Sequence, residues 1–293
     1  MHKLYLLLAA LCITTISMAQ SDTTRSQADT TKPKNDTIHV GGMIIIKTPG
    51  EQQQEPERHS KKDFYVNIPK KKHNPNLSTN WLVFDFGFNN MNDKTNYSSP
   101  AVQQLFSPAG SGNADWFDLR NGKSVNVNIW FFMQRLNLVQ HILNLKYGLG
   151  LELYNFRYSQ PVRFDTDPTN GYSYYLDRAQ NYSKNKLATD YLAVPVMLNF
   201  NFTPGKKAWE SFGLSAGVSM GYLYSSRQKV INEQGKNKIH NNFDLEQFKL
   251  SYIAELQLGF IKLYGSYASK SIFKNGINQT PYAIGVRFSN QSF

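Results

Sequence analysis

Six ionisable side chains occupy comparable settings: Asp85, Lys146, Glu152, Glu255, Lys262 and Arg287 each fall on the polar phase of a segment whose alternate residues are apolar. In a strand, residues two apart share a face, so these charges point together toward whatever the polar faces enclose. A narrow enclosure has a low dielectric, where an unpaired charge is costly, so carboxylates and cations there must meet. A tight turn at Gly259-Phe260 sets Glu255 near Lys262, and joining the first strand to the last sets Asp85 near Arg287. Such a set could serve as a selective polar path or as an internal salt-bridge plug. A barrel of about eight strands has an interior just wide enough for side chains, which favours the plug.

Other chemistry is sparse. A hydrolase needs a nucleophile, a base and an orienting group within reach of one another. His39, His59 and His73 lie in a polar tail, His141 in a short turn and His240 in a long connection, away from any gathering of Ser and acid. Asp165, Asp167 and Asp177 share one connection and could offer oxygen ligands to Ca²⁺, but their spacing matches no calcium loop. Cys12 falls inside the leader, so thiolate chemistry and disulfides are not expected downstream. No catalytic residue, cofactor or metal site is expected, and the chain reads as a non-enzyme.

The elements that would position the six charges are strands. From Val125 to Gln134 the odd positions are apolar, with Asn126, Asn128 and Gln134 on the other phase; Leu143–Leu153, Leu192–Phe202, Leu250–Leu258 and Tyr282–Phe288 alternate in the same way. In Phe212–Tyr224 the polar phase is Gly213, Ser215, Gly217, Ser219 and Gly221. Glycine and serine make a poor water-facing surface but suit a crowded interior, so the apolar phase should face lipid. Strands are expected near Trp81–Asn89, Ser124–Leu136, Ile142–Tyr158, Lys186–Phe202, Phe212–Arg227, Phe248–Leu258, Ile261–Ser269 and Tyr282–Phe288. The connections alternate long (Asn90–Lys123, Ser159–Asn185, Gln228–Gln247, Lys270–Pro281) and short (Asn137–His141, Thr203–Ser211, Gly259-Phe260). Outer-membrane barrels keep short turns on the periplasmic side and long loops outside. The expected fold is therefore all-β, a closed up-and-down antiparallel transmembrane barrel with both termini in the periplasm. Trp116, Phe117, Tyr172, Tyr174, Tyr175 and Phe243, in the long connections, read as exposed anchors for a partner or as girdle residues at the lipid interface.

The N-terminus supplies the export route. His2 and Lys3 precede the apolar run Leu4–Ile13, and Ser17-Met18-Ala19 carries small residues at the peptidase positions, which places cleavage between Ala19 and Gln20. Residues 20–78 are polar and repetitive and are expected to be a disordered periplasmic tail. A β-prone stretch at 37–47 within it could add to a partner's sheet edge. The barrel domain then spans 79–293. The net charge of +11 suits acidic headgroups or periplasmic polymers, and an exported chain does not meet nucleic acid.

Tyr191-Leu192-Ala193-Val194-Pro195-Val196-Met197-Leu198-Asn199-Phe200 resembles the mid-barrel Tyr-Leu-x-Ile/Val-Pro-Leu/Val-x-Leu strand of the PorT-like outer-membrane β-barrel family of Bacteroidota. Phe212–Tyr222 and Pro281–Phe288 are similar to that family too, and the likeness runs from about Asn80 onward; Ala193 stands where the family often has an acidic residue. The resemblance implies an outer-membrane barrel without catalytic residues, in a family whose founding member assists protein secretion. Gly285, Phe288 and the closing Phe293 resemble the signal read by the barrel-insertion machinery. The expected role is a structural or interaction barrel, a scaffold or secretion accessory with a periplasmic or surface protein partner. A lipid-modifying enzyme and a small-solute pore are the alternatives.

Overall fold

The structure, a computed structural model, describes residues 37–40, 43–46, 75–165, 167, 169 and 172–289. The expected cleavage between Ala19 and Gln20, and most of the 20–78 tail, lie outside the described residues. Met1–Pro69 and Lys70–Phe293 form separate units. In the first, β1 (Thr37–Val40) and β2 (Met43–Ile46) pair antiparallel within the β-prone stretch, with Thr37 opposite Ile46.

The second unit begins with β3 (Leu77–Asp93), β4 (Phe106–Ser107), β5 (Val125–Val139), β6 (Leu143–Arg157) and β7 (Val162–Phe164). It continues with β8 (Tyr174–Leu176), β9 (Lys184–Asn201), β10 (Phe212–Asn232) and β11 (Gly235–His240). It ends with β12 (Phe248–Leu258), β13 (Ile261–Ala268) and β14 (Gln279–Phe288). Strands β3, β5, β6, β9, β10, β12, β13 and β14 close into a ring of antiparallel neighbours, the last strand pairing with the first so that Arg287 lies opposite Asp85. This is a closed eight-stranded barrel, and each expected strand is present. Several run further than the alternation suggested: β3 starts at Leu77, and β10 continues to Asn232, where it turns into β11.

The barrel is apolar on its outer wall. On β10, Leu214, Met220 and Tyr222 are exposed, whereas Ser215, Ser219 and Gly221 are buried. On β3, Phe84, Phe86 and Phe88 are exposed while Asp85 and Asn89 are buried. Leaving one such large apolar side chain in water rather than in an apolar medium costs about 1.5–3 kcal/mol. A wall covered with them belongs in hydrocarbon, the arrangement of a transmembrane barrel.

Two local features adjust the pleat. Leu82, at φ 54°, and Phe131 face each other unpaired where the β3–β5 ladder passes from Trp81 opposite Phe132 to Val83 opposite Trp130, and Phe131 is an extra residue against β6, where Trp130 lies opposite Gly150 and Phe132 opposite Leu149. The bulge shifts the phase of β5, so that Trp130 and then Met133 both point inward. At the closure, Gly87 and Gly285 are cross-strand partners, and a Cβ on Gly285 would sit 2.3 Å from the Phe86 carbonyl oxygen. Glycine at both positions lets β3 and β14 approach closely, and at Gly87 it leaves room for the Tyr264 hydroxyl.

The four long connections do not splay outward. They fold onto one another and onto the upper barrel wall as a cap with its own small sheet, in which β4 pairs parallel with β8 and β8 antiparallel with β7. Every long connection contributes apolar side chains to this cap: Phe106, Trp116 and Phe117; Phe164 and Tyr174; Phe243 and Leu245; Ile272, Phe273 and Ile277.

Candidate functional site

All six charges picked out on the polar phase are buried inside the barrel. Strand β14 presents Arg287, whose Nε donates to Asp85 Oδ1 (2.7 Å) and whose Nη2 donates to Asp85 Oδ2 (2.8 Å), a bidentate pair held by the β3–β14 closure. Its Nη1 donates to Glu255 Oε2 (2.5 Å), and Lys146 Nζ donates to Glu255 Oε1 (2.6 Å). Asp85 also accepts from Trp130 Nε1 (2.8 Å) and Asn128 Nδ2 (3.1 Å). Two carboxylates and two cations therefore compensate one another across β3, β6, β12 and β14. Bidentate and charge-assisted bonds are the strong class, and such sharing is what makes buried charge tolerable.

Nearer the cap, Glu152 on β6 accepts from Ser219 Oγ (2.6 Å) and from Lys249 Nζ. Lys249 also donates to Tyr154 Oη (3.1 Å), and its ammonium lies 4.2 Å and 4.6 Å from the ring centroids of Tyr154 and Tyr191. Tyr264 Oη donates to Asn126 Oδ1 (2.6 Å), and Asn126 Nδ2 to Asn128 Oδ1 (3.0 Å), which extends the Asp85 group through neutral side chains. The void between the groups, lined by Asn128, Trp130, Glu152, Glu255, Tyr264 and Arg287 among others, measures about 20 Å³. That is room for about one water molecule.

The structure thus brings Asp85 and Arg287 together. Glu255 is bound by Lys146 from β6 and by Arg287 from β14, the strand on the far side of β13. The β12–β13 turn sets Lys262 opposite Gln257 rather than Glu255, and Lys262 Nζ donates to Ser289 Oγ (2.5 Å). Sequence reasoning missed Lys249, the partner of Glu152. The signal is present, since Lys249 lies within the expected Phe248–Leu258 strand and shares the phase of Glu255 six residues later.

The loop aromatics sit differently from their expected exposure. Trp116, Phe117, Tyr174 and Phe243 are buried in the cap, and Tyr172 and Tyr175 are half-buried, their rings 6.0 Å apart. Phe106 is the hub, with ring centroids of Trp116 at 5.0 Å, Tyr174 at 5.5 Å and Phe117 at 6.1 Å. Four connections each rich in apolar residues bury them against one another because each exposed ring would forfeit its transfer energy.

The acidic residues of the 159–185 connection hold the loop itself. Asp165 Oδ1 accepts from the Asp167 amide (3.0 Å), and Asp177 Oδ2 accepts from Tyr182 Oη (2.5 Å). Burial, and then this hydrogen bond, push the Tyr182 phenol up to about 12. Among the described residues no group of three or more His, Cys, Asp or Glu side chains is gathered as metal ligands. The arrangement can fix a closed interior and a rigid outer surface.

Residues 79–274 match the family described as Outer membrane protein beta-barrel domain. No curated protein matches the chain.

Proposed function

Because the chain belongs to the outer membrane protein beta-barrel domain family, we propose that it acts there as a structural or interaction protein, a scaffold or secretion accessory. The observation that carries this reading is the double closure of the lumen, by the ion-pair network at mid-barrel and by the aromatic cap over the end with the long connections. A barrel filled in this way has its outer surfaces left for function. We place the long connections outside the cell and both termini in the periplasm, following the long-short rule. The cap would then be the surface-facing contact and the region before β3 the periplasmic one. The Tyr191–Phe200 strand supports a PorT-like assignment within the family, and with it a protein partner in a secretion or surface assembly.

The test is co-purification from membranes of the full chain and of a chain lacking residues 20–74, which leaves β3 whole. A defined partner set that the truncation diminishes supports the reading; an empty pull-down from both sinks it. Single-channel recording separates the pore alternative, because a plugged barrel gives no steady conductance steps. Unaltered membrane lipid in a deletion strain argues against the enzyme alternative.

A further inference from the structure

Where β6, β9, β10 and β11 run beyond the apolar wall, the ladder aligns like charges directly. Arg157 lies opposite Lys186, Lys186 opposite Lys229, and Lys229 opposite Lys238, one cation on each of four neighbouring strands. Lys184 and Lys236 flank the row, each opposite Ile231 and so on the same face. This is the outward face, because the alternate residues Asn185, Leu187, Gln228 and Val230 are buried.

Like charges directly opposite one another in a sheet are destabilising, and the row lacks internal compensation. Among the described residues none of these lysines, nor Arg157, has a carboxylate within ion-pair distance, and Asp190, the acid on this face of β9, is bound to Arg227. Neighbouring strands lie about 4.8 Å apart, so the four cations span about 14 Å. That spacing fits two or more phosphate groups rather than a single small anion.

Continuity with the lipid-facing wall identifies the source. On these strands the apolar face resumes at Leu153, Leu192 and Tyr224, with Leu192 and Tyr224 exposed. Arg157 is four residues past Leu153, Lys229 five past Tyr224 and Lys186 six before Leu192, about 13–20 Å along the strands. Strand tilt shortens that rise to about 10–15 Å, and long cationic side chains reach back toward the interface. A lipid whose acyl chains lie on the Leu153–Leu192–Tyr224 wall would set its headgroup beneath the row.

We propose that the Arg157–Lys186–Lys229–Lys238 row is a binding site for the phosphate groups of an anionic lipid of the outer leaflet. The leaflet follows from the orientation proposed above; the site itself does not depend on the partner-binding role. A bound headgroup would supply the counter-charge that the sheet does not.

The test is native mass spectrometry of purified full chain reconstituted in nanodiscs with bisphosphorylated lipid A. The wild type should retain the lipid. The K186Q/K229Q/K238Q variant should retain at least ten-fold less, and the wild type should retain dephosphorylated lipid A at a similarly reduced level. The K206Q/K207Q variant, altered in the short connection at the other end, should bind as the wild type does. Heat-modifiable migration on gels checks that each variant folds. Equal retention by the triple variant overturns the site, and displacement of the lipid by millimolar inorganic phosphate overturns the lipid as its occupant. Nanodiscs expose both leaflets, so a wrong orientation would leave this result intact and would show instead in protease digestion of the cap on whole cells.

Discussion

The lumen is closed at two levels by opposite chemistries. At mid-barrel the seal is made of ion pairs between side chains fixed on strands, Arg287 with Asp85 and Glu255, and Glu255 with Lys146. At the mouth it is made of apolar rings brought in by loops, centred on Phe106. The strand-borne seal depends on exact charge compensation and on the backbone ladder that places each group. The loop-borne seal depends on buried area. One level should therefore answer to charge balance and the other to volume.

Arg287→Met is the largest expected break. It leaves Asp85 with Trp130 and Asn128 alone, while Glu255 keeps Lys146. Removing one partner of a buried pair costs about 3–5 kcal/mol, measurable as a fall in the urea unfolding free energy of the barrel in lipid vesicles. Adding Asp85→Asn should recover part of that loss by removing the stranded charge. A double variant less stable than the single one would contradict charge balance as the rule at this level.

Phe106→Ala tests the other seal. Truncating a buried phenylalanine costs about 3 kcal/mol, and the loss should appear as faster hydrogen exchange across residues 94–123 and 159–183. The unfolding midpoint of the barrel strands should stay near that of the wild type. An equal fall in both would show cap and barrel to be one cooperative unit, and the contrast between the levels would dissolve.

Ser219→Ala should have a smaller effect, confined to the Glu152–Lys249 group. Glu152 loses one charge-assisted hydrogen bond and keeps its cation, a change of about 2 kcal/mol. Urea unfolding of Ser219→Ala beside Ser215→Ala isolates the carboxylate contribution, because Ser215 accepts from the neutral Asn199 amide.

The same division explains what the sequence disclosed. The eight strands and the inward phase of Asp85, Lys146, Glu152, Glu255, Lys262 and Arg287 were legible because period-two alternation is a backbone property. Phase was lost where the backbone departs from the period: the bulge at Phe131 turns Met133 inward, against its apolar odd-numbered neighbours in β5. Strand ends such as Asn185 and Val230 were missed because above the lipid wall both faces are partly buried, one by the cap, and alternation of polarity fades. Which cation meets which carboxylate was only partly legible. Ladder neighbours such as Asp85 and Arg287 follow from closure, whereas Lys146 reaches Glu255 across the lumen, a contact set by barrel diameter. The cap was illegible because Trp116 and Phe243 carry no period at all, and an aromatic in a loop looks alike whether it meets a partner or its own chain.

The finest test of the loop-borne level is its pH response. Tyr182 ionises near 10 when unfolded and near 12 in the cap, because burial and then its hydrogen bond to Asp177 disfavour the phenolate. A folded-state value raised above the unfolded one contributes stability in full below the unfolded value and loses it as pH climbs through the folded value. Hydrogen exchange of the 159–183 loop, corrected for intrinsic base catalysis, should therefore accelerate between about pH 10 and 12, the interval given by that shift. In Tyr182→Phe that stretch of the pH profile should flatten, with the loop slightly less protected at neutral pH. Ion pairs at mid-barrel should be indifferent to the substitution, so barrel unfolding measured in parallel should give superimposable curves. If the barrel curve moves with Tyr182, the cap transmits its protonation state to the strands, and the two seals work as one.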